Sequence, residues 1–222
     1  MGYPAACLFD LDGLLLDTEP LHSQAWKQAA MHFGLALTGE QLLALRGRRR
    51  LDCAEQVRQW MAEVDLLAPA VTQLLAVRQP IAEALLPSAR PMPGARELVE
   101  ACRDRGVPMA LVTSSSRSAV ALKEAPHPWL ADIAQRVYGD DPELAAGKPA
   151  PDPYLLASRR LGVDASACWA FEDSIAGSQS AAAAGCVVHV LLSAPGSATQ
   201  LLPAQLPDHS RLLQSLLQIR FD

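Results

Sequence analysis

Asp10 and Asp12 stand one residue apart where the apolar run from Ala5 to Phe9 ends, and Gly13 follows them. A short apolar run of that kind makes a buried strand. In extended chain, residues i and i+2 share a face, so the two carboxylates would project together. Like charges that close repel, and they call for a cation or a shared proton. The same residues also fit a polar strand end that turns at Gly13. Three other groups could contribute chemistry. Thr113-Ser114-Ser115-Ser116 offers hydroxyls and backbone N–H groups at the mouth of a helix, which makes either an anion site or an ordinary Ser N-cap. Glu172-Asp173-Ser174 places acids just ahead of another helix, as ligands or as a cap. Lys148 lies in Gly147-Lys148-Pro149-Ala150-Pro151-Asp152, where proline fixes the backbone beside it; on its own it reads equally as a solvated surface cation.

The elements that would position these groups follow from periodicity. From Thr18 to about Ala89 only helices are expected. One starts at Pro20 and runs to Gly34. A second follows the capping box Thr38-x-x-Gln41, a third opens at Asp52-x-x-Glu55, and a fourth starts at Pro69 and continues through Pro80. The run from Pro87 to Gly94 reads as a linker. Beyond it, helix and strand alternate. Helices are expected at 95–105, 117–123, 151–161 and 175–184, and strands at 107–113, 136–138, 168–171 and 187–192. The stretch 193–207 reads as a loop, and 210–219, with Leu212, Leu213, Leu216 and Leu217, as a packing helix. Apolar strands alternating with helices indicate a doubly wound parallel sheet. Ligands of such sheets sit at the carboxyl ends of the strands, where Asp10, Asp12, Thr113, Glu172 and Asp173 all fall. With Lys148 beside them, that inventory suits Mg²⁺ on the carboxylates, and N–H groups and a cation on phosphoryl oxygens.

Composition narrows the function classes. The 222 residues suffice for one sizeable core or for a core with a small second domain. A net charge of -5 gives no support to a nucleic-acid role. The five cysteines are scattered with no CxxC spacing, as in a cytoplasmic protein with reduced thiols. No apolar run approaches the ~18 residues of a membrane span, and no leader is legible, so a soluble intracellular chain is expected, taken as a monomer.

Phe9-Asp10-Leu11-Asp12-Gly13, Thr113 after an apolar strand, Lys148-Pro149, and Glu172-Asp173-Ser174 with Gly177 resemble the four ordered motifs of the haloacid dehalogenase-like superfamily. The likeness spans nearly the whole chain, and the helical stretch after the first strand is similar to the cap of one subgroup. The phosphatase and β-phosphoglucomutase branch is the nearest in pattern. Within it, Gly139-Asp140-Asp141-Pro142-Glu143 ahead of Gly147-Lys148-Pro149 resembles pseudouridine-5'-phosphatase-type enzymes. The resemblance implies a Rossmann-like α/β core of residues 1–17 and 90–222, a helical cap of residues 18–89, and a Mg²⁺-dependent phosphatase acting on a small phosphate ester. It implies that Asp10 is the nucleophile and Asp12 the general acid and base. Asp10, the main-chain carbonyl of Asp12, Asp173 and, directly or through water, Glu172 would hold Mg²⁺. Thr113, the Ser114 N–H and Lys148 would bind the phosphoryl group, with Thr18 and Glu19 at the hinge to the cap. Because Asp12 is present, dehalogenation is discounted.

In the cap, the run Arg46-Gly47-Arg48-Arg49-Arg50 is a solvated basic face or, by the branch's pattern, brings Arg50 to the substrate. Trp26 reads as core. His22 matches a histidine that β-phosphoglucomutases use beside the acid, which keeps phosphoryl transfer on a hexose phosphate as an alternative. Arg78 is the nearest counterpart of the mutase's cap lysine. The stretch Ala125-Pro126-His127-Pro128-Trp129 departs from the family pattern and has no functional reading.

Overall fold

The computed structural model describes residues 3–192 and 203–221. Its centre is β1 (Ala6–Phe9), four fully buried residues whose side chains divide between two cores. Cys7 and Phe9 face one hydrophobic cluster, and Ala6 and Leu8 face the other. That two-sided burial is why the run lacks apolar/polar alternation. β1 is followed by β2 (Leu16–Asp17), α1 (Glu19–His32), α2 (Gly39–Leu45), α3 (Arg50–Glu63), α4 (Val71–Leu85) and β3 (Arg90–Pro91). Then come α5 (Ala95–Asp104), β4 (Met109–Val112), α6 (Arg117–Glu124), β5 (Gln135–Val137), α7 (Asp152–Leu161), β6 (Cys168–Glu172), α8 (Ile175–Ala183), β7 (Val187–Leu191) and β8 (Arg211–Leu213).

Six strands form one parallel sheet in the order β5-β4-β1-β6-β7-β8. Phe9 pairs in register with Leu111 on one side and Phe171 on the other, so Asp10, Thr113 and Glu172 emerge at one edge. The Phe9 and Phe171 rings stack with centroids 5.0 Å apart beneath that edge. Each such side chain, fully removed from water, contributes about 1.5–3 kcal/mol to holding the edge in place. The sheet is the doubly wound one expected from the alternation.

Between β2 and β3 lie α1 to α4 and a 3₁₀ turn at Leu86–Ser88, and the helices bury a cluster of their own around Trp26, Leu42, Leu45, Val57, Met61 and Leu74. Trp26 belongs to this core, as its spacing suggests. Two short strands, β2 and β3, pair antiparallel where the chain leaves and rejoins the sheet, a ribbon too brief to be read from periodicity. The unexplained 125–129 stretch has a structural place here: the buried His127 ring donates from Nε2 to the carbonyl of Ala89 at 2.8 Å, bracing the return linker.

Most boundaries lie within two residues of expectation, β4 at Met109–Val112 for 107–113 among them, and three differences have a physical reason. The third helix begins at Arg50, so Asp52 lies in its first turn, where its carboxylate accepts from Arg49 Nε at 3.1 Å instead of serving as the cap. The fourth begins at Val71 after Ala70, two residues past Pro69, and does continue through Pro80. The terminal helix expected over 210–219 is instead β8, paired parallel with β7, and a 3₁₀ turn at Leu216–Gln218 capped by Ser215. The leucine pairs fit helical spacing, but the open edge of β7 offers hydrogen bonds that a three-residue strand takes up, too short to show alternation. Of the loop expected over 193–207, residues 193–202 lie outside the described residues.

Candidate active site

Asp10 follows the last residue of β1 and is 2% exposed. Its Oδ1 accepts a hydrogen bond from Lys148 Nζ at 2.6 Å, and the same ammonium donates to Glu172. Glu172 is held on further sides by Tyr154 Oη at 2.6 Å and Ser174 Oγ at 3.1 Å. Ligand oxygens of Asp10, Glu172 and Asp173 lie within 4.8 Å of one another, all three residues buried. Asp173 Oδ1 is buried with no hydrogen-bond partner among the described residues. Three hard carboxylate oxygens, one unpartnered, fit a small divalent cation such as Mg²⁺. Burial pushes the Asp10 carboxyl well above its usual range against the pull of Lys148. Asp173 rises to about 6 for the same reason, against Arg46. The cluster therefore holds more carboxylate than its resident cations offset, which is the state a bound cation relieves.

Gly13 closes this side of the site. Its φ is +87° and a Cβ there would meet Asp173 Oδ2 at 2.0 Å, so only glycine fits both the turn and the close approach.

Asp12 points elsewhere. Its carboxylate lies outside the three-acid cluster, so any share it has in a metal site would fall to its main-chain carbonyl. The carboxylate instead accepts from Thr18 Oγ1 at 2.6 Å, Ser115 Oγ at 2.8 Å and Lys123 Nζ at 2.6 Å to each oxygen. His22 Nε2 lies 3.1 Å away. Burial would raise its pKa, but the Lys123 ammonium and the His22 hydrogen bond outweigh that and hold it well below the ordinary range. Two carboxylates two residues apart thus titrate in opposite directions: its cation and hydrogen-bond donors keep Asp12 as the anion, whereas burial favours the neutral form of Asp10.

Thr113 is buried, with Oγ1 accepting from Ser115 N at 3.1 Å. Ser114 reaches across to the helical insertion, its Oγ donating to the Gly47 carbonyl at 2.8 Å. Its hydroxyl is therefore committed to the contact between the two parts, and only its main-chain N–H is left to serve an anion. A cavity of about 270 Å³ lies between the insertion and the strand ends, lined by Asp10, Asp12, His22, Arg46, Arg50, Arg78 and Ser114 among others. Arg50 is exposed and bonds Gln79 at 2.9 Å. Arg78 is buried against Trp26 and bonds His22 Nδ1 at 2.9 Å.

Sequence reasoning missed three participants. Arg46, buried after α2, pairs with Asp173 and lies 3.1 Å from Glu19; in the basic run only Arg50 was singled out. Tyr154 carried no signal beyond its place on the helix after Lys148. Lys123 did carry one: it lies on the apolar face of α6 with Val120, and it is 0% exposed.

The haloacid dehalogenase-like hydrolase family model matches residues 4–185. A fructose-1-phosphate phosphatase, YqaB of Escherichia coli K12, is 36% identical over 182 residues, covering 82% of this chain and 93% of that protein. A Drosophila melanogaster protein named "Probable pseudouridine-5'-phosphatase" is 36% identical over 186 residues, covering 81% and 78%. The crystal structure of a HAD family hydrolase from Deinococcus radiodurans R1, with bound phosphate and sodium, superposes with a TM-score of 0.74 at 27% identity, covering 98% of this chain and 94% of that one. Motifs in order, a shared fold and a family match over most of its length converge: this chain belongs to the haloacid dehalogenase-like hydrolases.

Proposed function

We propose that the protein hydrolyses phosphate monoesters of small metabolites, sugar or nucleoside phosphates foremost, through an aspartyl-phosphate on Asp10. The observation that carries this reading is the pairing of Lys148 with both Asp10 and Glu172 beside a separately held Asp12, all at one edge of one sheet. Residues 18–89 act as a cap over a core of 1–17 and 90–222. Asp10 attacks phosphorus while Lys148, Thr113 and the Ser114 N–H take the phosphoryl oxygens. The ester P–O bond breaks, and Asp12 gives its proton to the departing alcohol oxygen. Asp12 then takes a proton from the water that attacks the aspartyl-phosphate, which frees phosphate and restores the Asp10 carboxylate. Asp10, Asp173 and the Asp12 carbonyl would hold Mg²⁺, with Glu172 as a direct or water-borne ligand; when bound, the ion neutralises charge on the transferring group. Free buried thiols at all five cysteines support a reducing, cytoplasmic setting.

Phosphate release from a panel of sugar and nucleoside phosphates, fructose 1-phosphate among them, tests the reading. Release requires Mg²⁺, stops with EDTA and disappears in Asp10→Asn. Undiminished turnover by that variant would overturn it. A second reading, transfer onto another hydroxyl of a hexose phosphate, is favoured by the His22 contact with Asp12. It demands that isomerisation of a hexose 1-phosphate outrun phosphate release and that His22→Asn abolish it selectively.

A further inference from the structure

Lys123 is a lysine where a helix of this kind would carry an aliphatic residue. It is two turns into α6, on the face that also buries Val120, with none of its surface open to water. An ammonium so placed must give all three of its protons to acceptors. Each has one: Asp12 Oδ1 at 2.6 Å, Asp12 Oδ2 at 2.6 Å and Ser115 Oγ at 2.8 Å. Ser115 Oγ in turn donates to Asp12 Oδ2 at 2.8 Å. Lysine, hydroxyl and carboxylate thus form a closed triangle that fixes the carboxylate plane from both oxygens.

Thr113 Oγ1 adds a longer bond to Asp12 Oδ2, 3.4 Å, from the same side, and two further partners of Asp12 have a different origin. Thr18 and His22 lie at the start of the helical insertion, and both act on Oδ1 alone. Lys123 and Ser115 belong to the sheet-bearing part and grip both oxygens. A carboxylate held only by Thr18 and His22 would pivot about its Cβ–Cγ bond and follow α1 whenever the cap shifted. One held by Lys123 keeps its aim relative to Asp10 and the phosphoryl site.

We propose that Lys123 is the positioning residue for the general acid, fixing the Asp12 carboxylate from the core side so that proton delivery to the leaving group does not depend on where the cap stands. This rests on the phosphatase reading above. Lys123 does not line the cavity; it acts through Asp12.

The test is the leaving-group dependence of kcat/KM, which reports the steps up to loss of the alcohol. p-Nitrophenyl phosphate releases a phenolate stable enough to leave without a proton, phenyl phosphate needs one more, and fructose 1-phosphate needs one most. Lys123→Met, close in length and free of charge, is expected to lose about tenfold or less on p-nitrophenyl phosphate and a hundredfold or more on fructose 1-phosphate. Its Mg²⁺ dependence and circular dichroism should stay those of the parent. Ser115→Ala, a milder cut in the same triangle, should show the same graded loss at smaller size, and it serves as the test should Lys123→Met not fold. Equal losses across the three esters in the variant that folds, as a purely structural lysine would give, overturn the proposal. If the parent itself turns over none of the esters, or Asp10→Asn remains active, it is the phosphatase reading that fails instead.

Discussion

At the scale of single residues, Lys148 illustrates what makes the site costly to alter. It is 1% exposed and lies between two carboxylates that are themselves buried. Burial alone would lower its pKa, but Asp10 and Glu172 outweigh that and hold it firmly protonated. Removing one partner of a buried ionic group leaves the others uncompensated, at a cost on the order of 3–5 kcal/mol. Lys148→Met should therefore be inactive and less stable at pH 7. The sign of its pH dependence follows from the folded state. Without the ammonium, the carboxyl of Asp10, already pushed up by burial, titrates still higher when folded than when unfolded, so the folded form binds more protons. Stability then falls as pH rises and recovers toward pH 5. Melting curves at the two pH values would read this, and a variant no less stable at pH 7 than at 5 would refute it. Lys148 was legible because its neighbours form a motif. Lys123, whose ammonium makes one hydrogen bond more, was not singled out, because its meaning depends on Asp12, 111 positions away.

At the scale of elements, strand-end positions were readable wherever a strand is buried on both faces, because β1 and β6 leave uninterrupted apolar runs that stop at acids. β2, β3 and β8 were not, since two or three residues at an edge or hinge impose no period. The helices show how an element's own preference yields to the site. Gly177 sits in the first turn of α8 with its N–H donating to the Ser174 cap. Alanine is the better helix former there by about 1 kcal/mol. A Cβ at this position, however, would lie 2.0 Å from the carboxylate of Glu172. Gly177→Ala should accordingly lose stability, by about 1–3 kcal/mol as overpacking does, and lose most phosphatase activity because Glu172 and Lys148 are displaced together. A gain in melting temperature with activity intact would mean that helix propensity governs this position.

At the scale of the whole molecule, a glycine of the insertion rests directly on the sheet-bearing part, beside the contacts of Arg46 with Asp173 and of Thr18 and His22 with Asp12. Gly47, in the loop after α2, has φ +72°, and a Cβ on it would lie 2.1 Å from Ser174 Oγ. Its carbonyl accepts from Ser114 Oγ at 2.8 Å. One residue of the insertion thus rests on the ends of two strands, next to the acids on one side and the hydroxyl run on the other. The insertion has a cluster of its own, and although Leu43 and Ala119 join the two parts, each keeps most of its core if the seat is lost. Gly47→Ala should leave both parts folded, costing about 1–2 kcal/mol for a left-handed alanine, a shift of roughly 2–8 °C in melting midpoint. It should nevertheless stop the cap from seating. Misplacement by about 1 Å lowers rates by ~10²-fold, and an unseated cap also leaves water at the reacting phosphorus. The expected result is a fall of two orders of magnitude or more in kcat/KM for fructose 1-phosphate, with KM raised. Phosphate bound at Asp10 and Lys148 does not need the cap, so its affinity should stay near that of the parent. Full activity in a well-folded Gly47→Ala would show that the cap closes on some other contact, whereas the paired outcome, with the fold kept and turnover lost, identifies the Gly47 seat as the step that completes the site.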